Sequence, residues 1–148
     1  MHDQGIRADR TALQILDELY LHEVAGIVRY LHYSFMIMGH ARIPIQKWLR
    51  EQASESMQHS ILVGEKITSL GGHPSLVSAT IEESHVHTLD GILGEALEFE
   101  EQAVALYRKL AEAAAATNDI ALEELARQQI CSEQEHVDEV RKMLRLPS

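Results

Sequence analysis

The sequence places a carboxylate and an imidazole three residues apart near its C-terminus, in Glu133 and His136. On a helix, residues at this spacing project from one face, about 60° from each other. The same face presents an apolar stripe: Leu122, Ala126, Ile130, Val140 and Met143. Burying charged groups in such a stripe is costly unless they are paired or bind a metal ion. The pair is therefore a candidate part of a metal site, and other segments must supply the remaining ligands.

Three further candidate ligands lie at spacings that repeat along the chain. Glu23 precedes His59 by 36 residues, and Glu100 precedes His136 by the same 36 residues. A tyrosine follows each of these glutamates after seven residues: Tyr30 and Tyr107. The chain is therefore interpreted as two helical hairpins that each deliver a carboxylate, a tyrosine and an imidazole to a shared centre. Carboxylate and imidazole ligands together suit several divalent transition metals.

The repeat breaks at Ser56, the position that matches Glu133. A pair of cations bridged by carboxylates takes about four carboxylates and two imidazoles, and the repeat supplies only three carboxylates. Glu55 is the candidate for the sixth ligand. A π-bulge would turn it inward beside His59; otherwise it faces outward or into a cavity, near Glu51. With one bridging carboxylate missing, we expect unequal occupancy, with the cation beside His59 bound more weakly.

Four helices are predicted to position these ligands, at about residues 11–38, 44–70, 89–117 and 119–145. Apolar residues recur at helical spacing in each segment, without the alternation typical of strands. Capping and helix-breaking residues mark the ends: Thr11 with Gln14, Pro44, Gly71 with Gly72, and Asn118. The stretch from His73 to Thr88 is long enough for a crossover along a bundle. The predicted fold is all-α, a four-helix bundle with one long crossover, in a single domain spanning residues 1–148.

Composition and charge limit the partners. The formal net charge of −10 disfavours nucleic acid and anionic membranes and favours cations. The N-terminal residues lack an apolar signal core, no run of 18 apolar residues occurs, and the single cysteine excludes an internal disulfide. We therefore expect a cytoplasmic protein that binds neither nucleic acid nor membrane. Five histidines scattered along the sequence are interpreted as surface residues: His32, His40, His73, His85 and His87.

Across all four helices the sequence resembles the bacterioferritins of the ferritin superfamily. The resemblance rests on these segments: His22-Glu23 with Tyr30, Met57-Gln58-His59, Gly71 to Leu76, Glu100, and Glu133 to His136. It implies a ferritin-like bundle whose di-iron centre is bound by Glu23, His59, Glu100, Glu133 and His136. It also implies Fe(II) oxidation by dioxygen or peroxide, with Glu23, Glu100 and Glu133 as the catalytic carboxylates, and storage of the oxidised iron.

Met57 matches the methionine that ligates haem b across a two-fold interface in that family, so the resemblance implies haem b, a homodimer and a larger shell. The residues alone leave Met57 open between a plain interface methionine and a haem ligand. It shares its helix face with small residues that would let another helix approach closely: Ala53, Ser60 and Gly64. The chain ends soon after His136, so no fifth helix is expected.

Two other functions fit the same residues. Because Ser56 replaces a bridging glutamate, the protein could be a mononuclear metal-binding or haem-binding subunit with impaired ferroxidase activity. It could also be a di-iron oxidase that acts on an organic substrate. The iron-to-chain ratio and a haem Soret band would distinguish the first of these from iron storage.

Overall fold

The structure is a computed structural model that describes residues 2–77 and 79–145, with side chains described from Thr11 onwards. It contains four helices: α1 (His2–Met36), α2 (Arg42–Ser69), α3 (Leu89–Ala116) and α4 (Ile120–Met143). Strands are absent from the described residues. The predicted all-α fold with four helices is therefore confirmed. None of these helices is long and apolar enough to cross a membrane.

The first helix begins earlier than the sequence predicted, at His2 instead of near Thr11. The preceding residues, among them Gln4, Arg7 and Ala8, are good helix formers, and no proline interrupts them. The potential capping box at Thr11 therefore does not start the helix. The fourth helix ends at Met143, two residues before the predicted end.

The helices form two hairpins, α1 with α2 and α3 with α4, and α1 also packs against α3. The segment between α2 and α3 is the long crossover. Two apolar clusters fill the bundle. One contains Leu16, Leu19, Val63, Tyr107 and Leu122, and the other contains Tyr30, Ile37, Leu49, Ile92 and Phe99. Burying a large apolar side chain contributes about 1.5–3 kcal/mol, so these clusters hold the backbone rigidly on both sides of the polar residues between them.

The small residues of α2 serve packing inside the chain. Ala53 and Ser60 are buried, and a Cβ at Gly64 would lie 3.6 Å from the ring of Tyr20 on α1. The helix that approaches α2 closely on this face is therefore α1 of the same chain. The expectation that a second subunit packs on this face stays a prediction, and it depends on Gly64, which is half-buried, and Met57, which is exposed.

Candidate metal centre

The five ligands of the repeat converge between the two apolar clusters. Glu23 comes from α1, His59 from α2, Glu100 from α3, and Glu133 with His136 from α4. The three glutamates are almost fully buried, with 1 to 3% of their surface exposed. Three carboxylates this deep in an apolar bundle require compensating charge, and among the described residues it comes from the imidazoles of His59 and His136, or else from bound cations.

Glu133 belongs to two groups of ligands at once. Its first group contains Glu23 and His59, its second contains Glu100 and His136, and in each group the ligand atoms lie within 4.8 Å of one another. The Oε1 atom of Glu133 lies 2.8 Å from Nδ1 of His59, whereas Oε2 lies 3.6 Å from Nδ1 of His136. Each carboxylate oxygen thus faces a different imidazole, which is the arrangement of a carboxylate that bridges two cations.

Glu23 completes the first group and Glu100 completes the second, and we call these two the outer glutamates. Glu23 Oε1 lies 3.7 Å from Nδ1 of His59, and Glu100 Oε2 lies 3.7 Å from Nδ1 of His136. Donors bound at about 2.1 Å to one cation stand roughly 3–4 Å apart, so these separations fit a shared cation. Both positions have the same donors, two carboxylates and one imidazole. The donors of the two groups therefore do not explain the unequal occupancy that the missing glutamate suggested, and the asymmetry lies in Glu55, which is 2.8 Å from Nε2 of His136 but 3.8 Å from that of His59.

Two tyrosines orient the outer glutamates across the hairpins. The hydroxyl of Tyr30 on α1 donates a hydrogen bond to Oε1 of Glu100 on α3. The hydroxyl of Tyr107 on α3 donates one to Oε1 of Glu23 on α1, at 3.1 Å. Burial raises the pKa of both tyrosines, and the nearby carboxylates raise it further. Both hydroxyls therefore remain protonated donors, which hold Glu23 and Glu100 in fixed orientations.

The imidazoles and carboxylates share protons in the metal-free protein. Burial alone would lower the pKa of His59, but its hydrogen bonds with Glu133 and Glu23 outweigh burial and raise it to about 10. Likewise, contacts with Glu100, Glu133 and Glu55 outweigh burial and raise the pKa of His136 to about 12. Two imidazolium ions therefore compensate the carboxylates when no cation is present.

One nitrogen of the centre makes no hydrogen bond, although in the metal-free protein it carries a proton that a bound cation would displace. Nδ1 of His136 is shielded from solvent and has no hydrogen-bond partner among the described residues, although Glu100 and Glu133 lie within ionic contact. Burial and the proximity of Glu133 raise the pKa of Glu100 to about 7. A buried nitrogen that points at two carboxylates fits a bound cation, so the residues present suit the metal pair that the resemblance implied.

Glu55 stands outside both ligand groups. Its Oε2 lies 2.8 Å from Nε2 of His136, and its Oε1 lies 3.8 Å from Nε2 of His59. Oε1 also accepts a hydrogen bond from Ser132 Oγ at 3.2 Å. No π-bulge interrupts α2 at this point, so nothing turns Glu55 inward past His59. Glu55 thus contacts the imidazoles on the side away from the other carboxylates, which favours a role through the imidazoles over direct binding of a cation.

Ser56 lies buried against α1, where space is tight. A Cβ added to Gly26 would lie 2.9 Å from Ser56 Oγ and 2.7 Å from Cζ of Phe99. The carboxylate that α2 brings near the centre is therefore that of Glu55, one residue earlier. In the repeat, Glu55-Ser56 on α2 corresponds to Ser132-Glu133 on α4, with the two residue types in reversed order.

Sequence reasoning gave His22 no role of its own, yet it fixes α1 to α3 beside the centre. Its ring stacks on that of Phe99 with centroids 4.0 Å apart, and Nε2 donates a hydrogen bond to the Phe99 carbonyl at 3.0 Å. Burial lowers the pKa of His22, so the ring is neutral. The repeat contained a signal for this contact, because His22 and Phe99 each directly precede a ligand glutamate.

Met57 lies on the outer surface of α2, with 53% of its surface exposed, near the exposed Ile61 one turn further along. Its side chain faces away from the metal centre, as the sequence predicted. Its exposed position leaves it available to a partner subunit, on which the role implied by the resemblance depends.

Comparisons with known proteins agree with this geometry. The fold is similar to that of a ferritin-like di-iron-carboxylate protein from Bacillus anthracis, with a TM-score of 0.87 and 23% identity over 93% of this chain and 97% of that chain. It is also similar to the bacterioferritin of Rhodobacter capsulatus, with a TM-score of 0.79 and 23% identity over 88% of this chain and 81% of that one.

The Dps protein of Thermosynechococcus elongatus is a third similar structure, with a TM-score of 0.88 and 20% identity over 95% and 94% of the two chains. At such identities the likeness shows a shared fold. No curated protein sequence matches the chain. A family model for the ferritin-like domain, however, matches residues 13–147, and the chain therefore belongs to the ferritin superfamily.

Proposed function

We propose that the protein binds two Fe(II) ions side by side in the bundle, oxidises them and passes the Fe(III) on for storage. One observation carries this proposal: the two ligand groups share Glu133, whose two oxygens face the two imidazoles. Paired cations bridged by a carboxylate are a known device for acting on one reactant together. A mononuclear site, the alternative that Ser56 suggested, needs only one ligand group, whereas the chain has two groups with the same donors, two carboxylates and one imidazole each.

Iron is preferred over zinc or manganese because of the relatives. Carboxylate and imidazole ligands alone accept several of these metals. The Bacillus anthracis protein is described as a ferritin-like di-iron-carboxylate protein, and the Rhodobacter capsulatus bacterioferritin has a dinuclear site, metal-free in that structure, and haem iron. We transfer the iron pair to this chain because its ligand groups have the donors that such a pair needs.

In the proposed reaction the iron is the substrate and the chain holds it in place. Each Fe(II) gives up one electron, so a pair supplies the two electrons that reduce dioxygen, with two protons, to hydrogen peroxide. Glu133 keeps the two ions adjacent, while Tyr107 and Tyr30 hold Glu23 and Glu100 in position. The carboxylates stabilise the higher charge of Fe(III), because their negative charge is buried and cannot be screened by water.

Glu55 is proposed to act through the imidazoles. A carboxylate that accepts a hydrogen bond from the outer nitrogen of a metal-bound histidine fixes its tautomer and makes the inner nitrogen a better ligand. Glu55 is suitably located for this on His136, with 2.8 Å between the two atoms. Its pKa is lowered mainly by the contact with His136, so the carboxylate is charged at neutral pH.

We further propose that the protein forms at least a homodimer through the exposed apolar side chains of α1 and α2. These are Val28, Leu31, Phe35, Met57 and Ile61, each of them 39 to 55% exposed. Several large apolar groups on one pair of helices are typical of an interaction surface. A dimer through this surface would bring two copies of Met57 together for haem b, and a larger shell would store the mineral.

An anaerobic iron titration followed by oxygen tests the function. The protein should bind two Fe(II) per chain, and both should be oxidised within one rapid phase after oxygen is added. Binding of a single Fe(II), or oxidation no faster than that of iron in buffer, would contradict the proposal. Sedimentation and the visible spectrum of the same sample, which would contain a Soret band with haem, test the dimer and haem separately.

A further inference from the structure

Three side chains on the surface form a second cluster of metal-binding type: His32 on α1 and Glu83 and His87 in the crossover. Their ligand atoms all lie within 4.8 Å of one another. Glu83 Oε2 lies 2.7 Å from Nε2 of His32, and Glu83 Oε1 lies 2.9 Å from Nε2 of His87. As at the bundle centre, the two oxygens of one carboxylate face two imidazole nitrogens.

Contacts within the crossover preorganise this cluster. Glu83 Oε1 also accepts a hydrogen bond from the backbone N–H of His85 at 3.2 Å. His85 has a φ of 59°, a left-handed conformation that folds the segment back, so that His87 reaches Glu83. Ser84 binds Glu95 of α3 through its hydroxyl, which anchors the turn. Ligands that are already in place lose little entropy when they bind a cation.

A second observation points to a ligand at His32. Its Nε2 atom is shielded from solvent and has no hydrogen-bond partner of good geometry among the described residues, although Glu83 is near. A hydrogen bond with His87 and the charges of His32 and His85 lower the pKa of Glu83, so the carboxylate is ionised. A bound cation would replace the proton that the 2.7 Å contact between Nε2 of His32 and Glu83 Oε2 requires.

We propose that His32, Glu83 and His87 form a second metal site, distinct from the bundle centre, which binds a divalent cation of the zinc class and fastens the crossover to α1. Two imidazoles and one carboxylate are a common zinc ligand set, with water as the fourth ligand. The three side chains are 32 to 41% exposed, and a cavity of about 210 Å³ opens beside His32 and Glu83. Both features leave room for that water.

The coordination uses Nε2 of each histidine, so the ring proton resides on Nδ1 when the cation is bound. The cation would replace the contacts between Glu83 and the two imidazoles by three bonds to one ion. Because His32 belongs to α1 and the other two ligands to the crossover, the bound ion would resist separation of these segments. This inference is independent of iron chemistry, since it shares no residue with the bundle centre.

Zinc titration by calorimetry tests the site. Wild-type protein should bind one zinc per chain more than His87→Ala, His32→Ala and the isosteric Glu83→Gln. Outer-shell changes at metal sites already cost about 10–100-fold in affinity, so losing a ligand should weaken this site at least tenfold. His40→Ala is the matched control, because His40 is an exposed histidine outside the cluster, and it should bind zinc as the wild type does.

Two measurements on the wild type do not depend on how the variants fold. Zinc-edge anomalous scattering should give a peak between the three side chains, besides the peaks at the bundle centre. Zinc should also slow amide hydrogen exchange in a wild-type peptide covering residues 79–92. Equal stoichiometry in all variants, or zinc at the bundle centre alone, would overturn the site; unchanged exchange would overturn the fastening role.

Discussion

The carboxylate of Glu55 lies 2.8 Å from Nε2 of His136, on the opposite side of the ring from Nδ1, which faces Glu100 and Glu133. The ring is therefore held between carboxylates on both sides. Although position 56 lacks a glutamate, the centre still has four carboxylates and two imidazoles within reach, because the residue before it supplies the fourth from outside.

Glu55→Gln should weaken cation binding at the centre without removing a cation. The amide keeps the size of the side chain but loses the charge that orients His136, so we expect the dissociation constant for Fe(II) to rise by about 10–100-fold. Anaerobic titration should still reach two Fe(II) per chain. Glu51→Gln, an exposed change one turn earlier, serves as control. Loss of one whole Fe(II) would instead make Glu55 a direct ligand.

Glu133→Ala and Glu23→Ala should differ in the number of cations that they remove. Glu133 belongs to both ligand groups, whereas Glu23 belongs to one. We expect Glu133→Ala to abolish tight binding of both Fe(II) ions and Glu23→Ala to leave about one per chain. Glu135→Ala removes an exposed glutamate of the same helix and should bind two. If Glu133→Ala retains one tightly bound ion, the proposal that Glu133 bridges both cations is contradicted.

The metal-free protein should lose stability as the pH rises above about 6.5. The pKa values of His59 and His136 are raised from 6.5 to about 10 and about 12 in the folded chain. Groups with a raised pKa stabilise the folded state fully below the unfolded-state value, and this stabilisation is lost as the pH rises through the folded-state value. Between those two values, each imidazole should lower the free energy of unfolding by up to about 1.4 kcal/mol per pH unit.

Thermal unfolding of metal-free protein between pH 6.5 and 10 measures this loss. In His59→Gln the dependence should be shallower than in the wild type, whereas His40→Gln, a change at an exposed histidine, should leave it unaltered. Parallel curves for wild type and His59→Gln would contradict the proton sharing between His59 and the carboxylates.

Ser56→Glu should restore the symmetry of the two hairpins at a cost to the metal-free fold. The new carboxylate would be buried beside Gly26, where a Cβ on Gly26 would already lie 2.9 Å from Ser56 Oγ. We expect the metal-free variant to be less stable by about 1–3 kcal/mol and the iron-loaded variant to oxidise Fe(II) faster. Ser54→Glu adds the same charge at an exposed position and should change neither quantity. A slower iron oxidation in Ser56→Glu would mean that the centre works because position 56 is small.

The sequence predicted the inner ligands because they follow from local rules. Glu23, His59, Glu100, Glu133 and His136 lie on apolar stripes whose helical period determines which side chains face inward. The repeated spacing then indicated that the stripes meet. These relations depend only on residues within one helix or one hairpin, so they could be read without knowing how the helices are arranged.

The contacts that the sequence did not predict join segments whose relative position is not encoded locally. Glu55 is offset around α2 from His59 by about 40°, and its role depends on how near α4 brings His136. His32 and Glu83 belong to a helix and a long connection, so nothing in their spacing revealed that they touch. Histidines without helical periodicity therefore appeared to be plain surface residues.

Anomalous diffraction at the iron edge, from crystals soaked in Fe(II) without oxygen, tests the central claim most directly. We predict two iron positions that both contact Glu133, one also bound by Glu23 and Nδ1 of His59, the other by Glu100 and Nδ1 of His136. Glu55 should contact neither ion. A single iron, two ions that do not share Glu133, or iron bound directly to Glu55 would contradict the account.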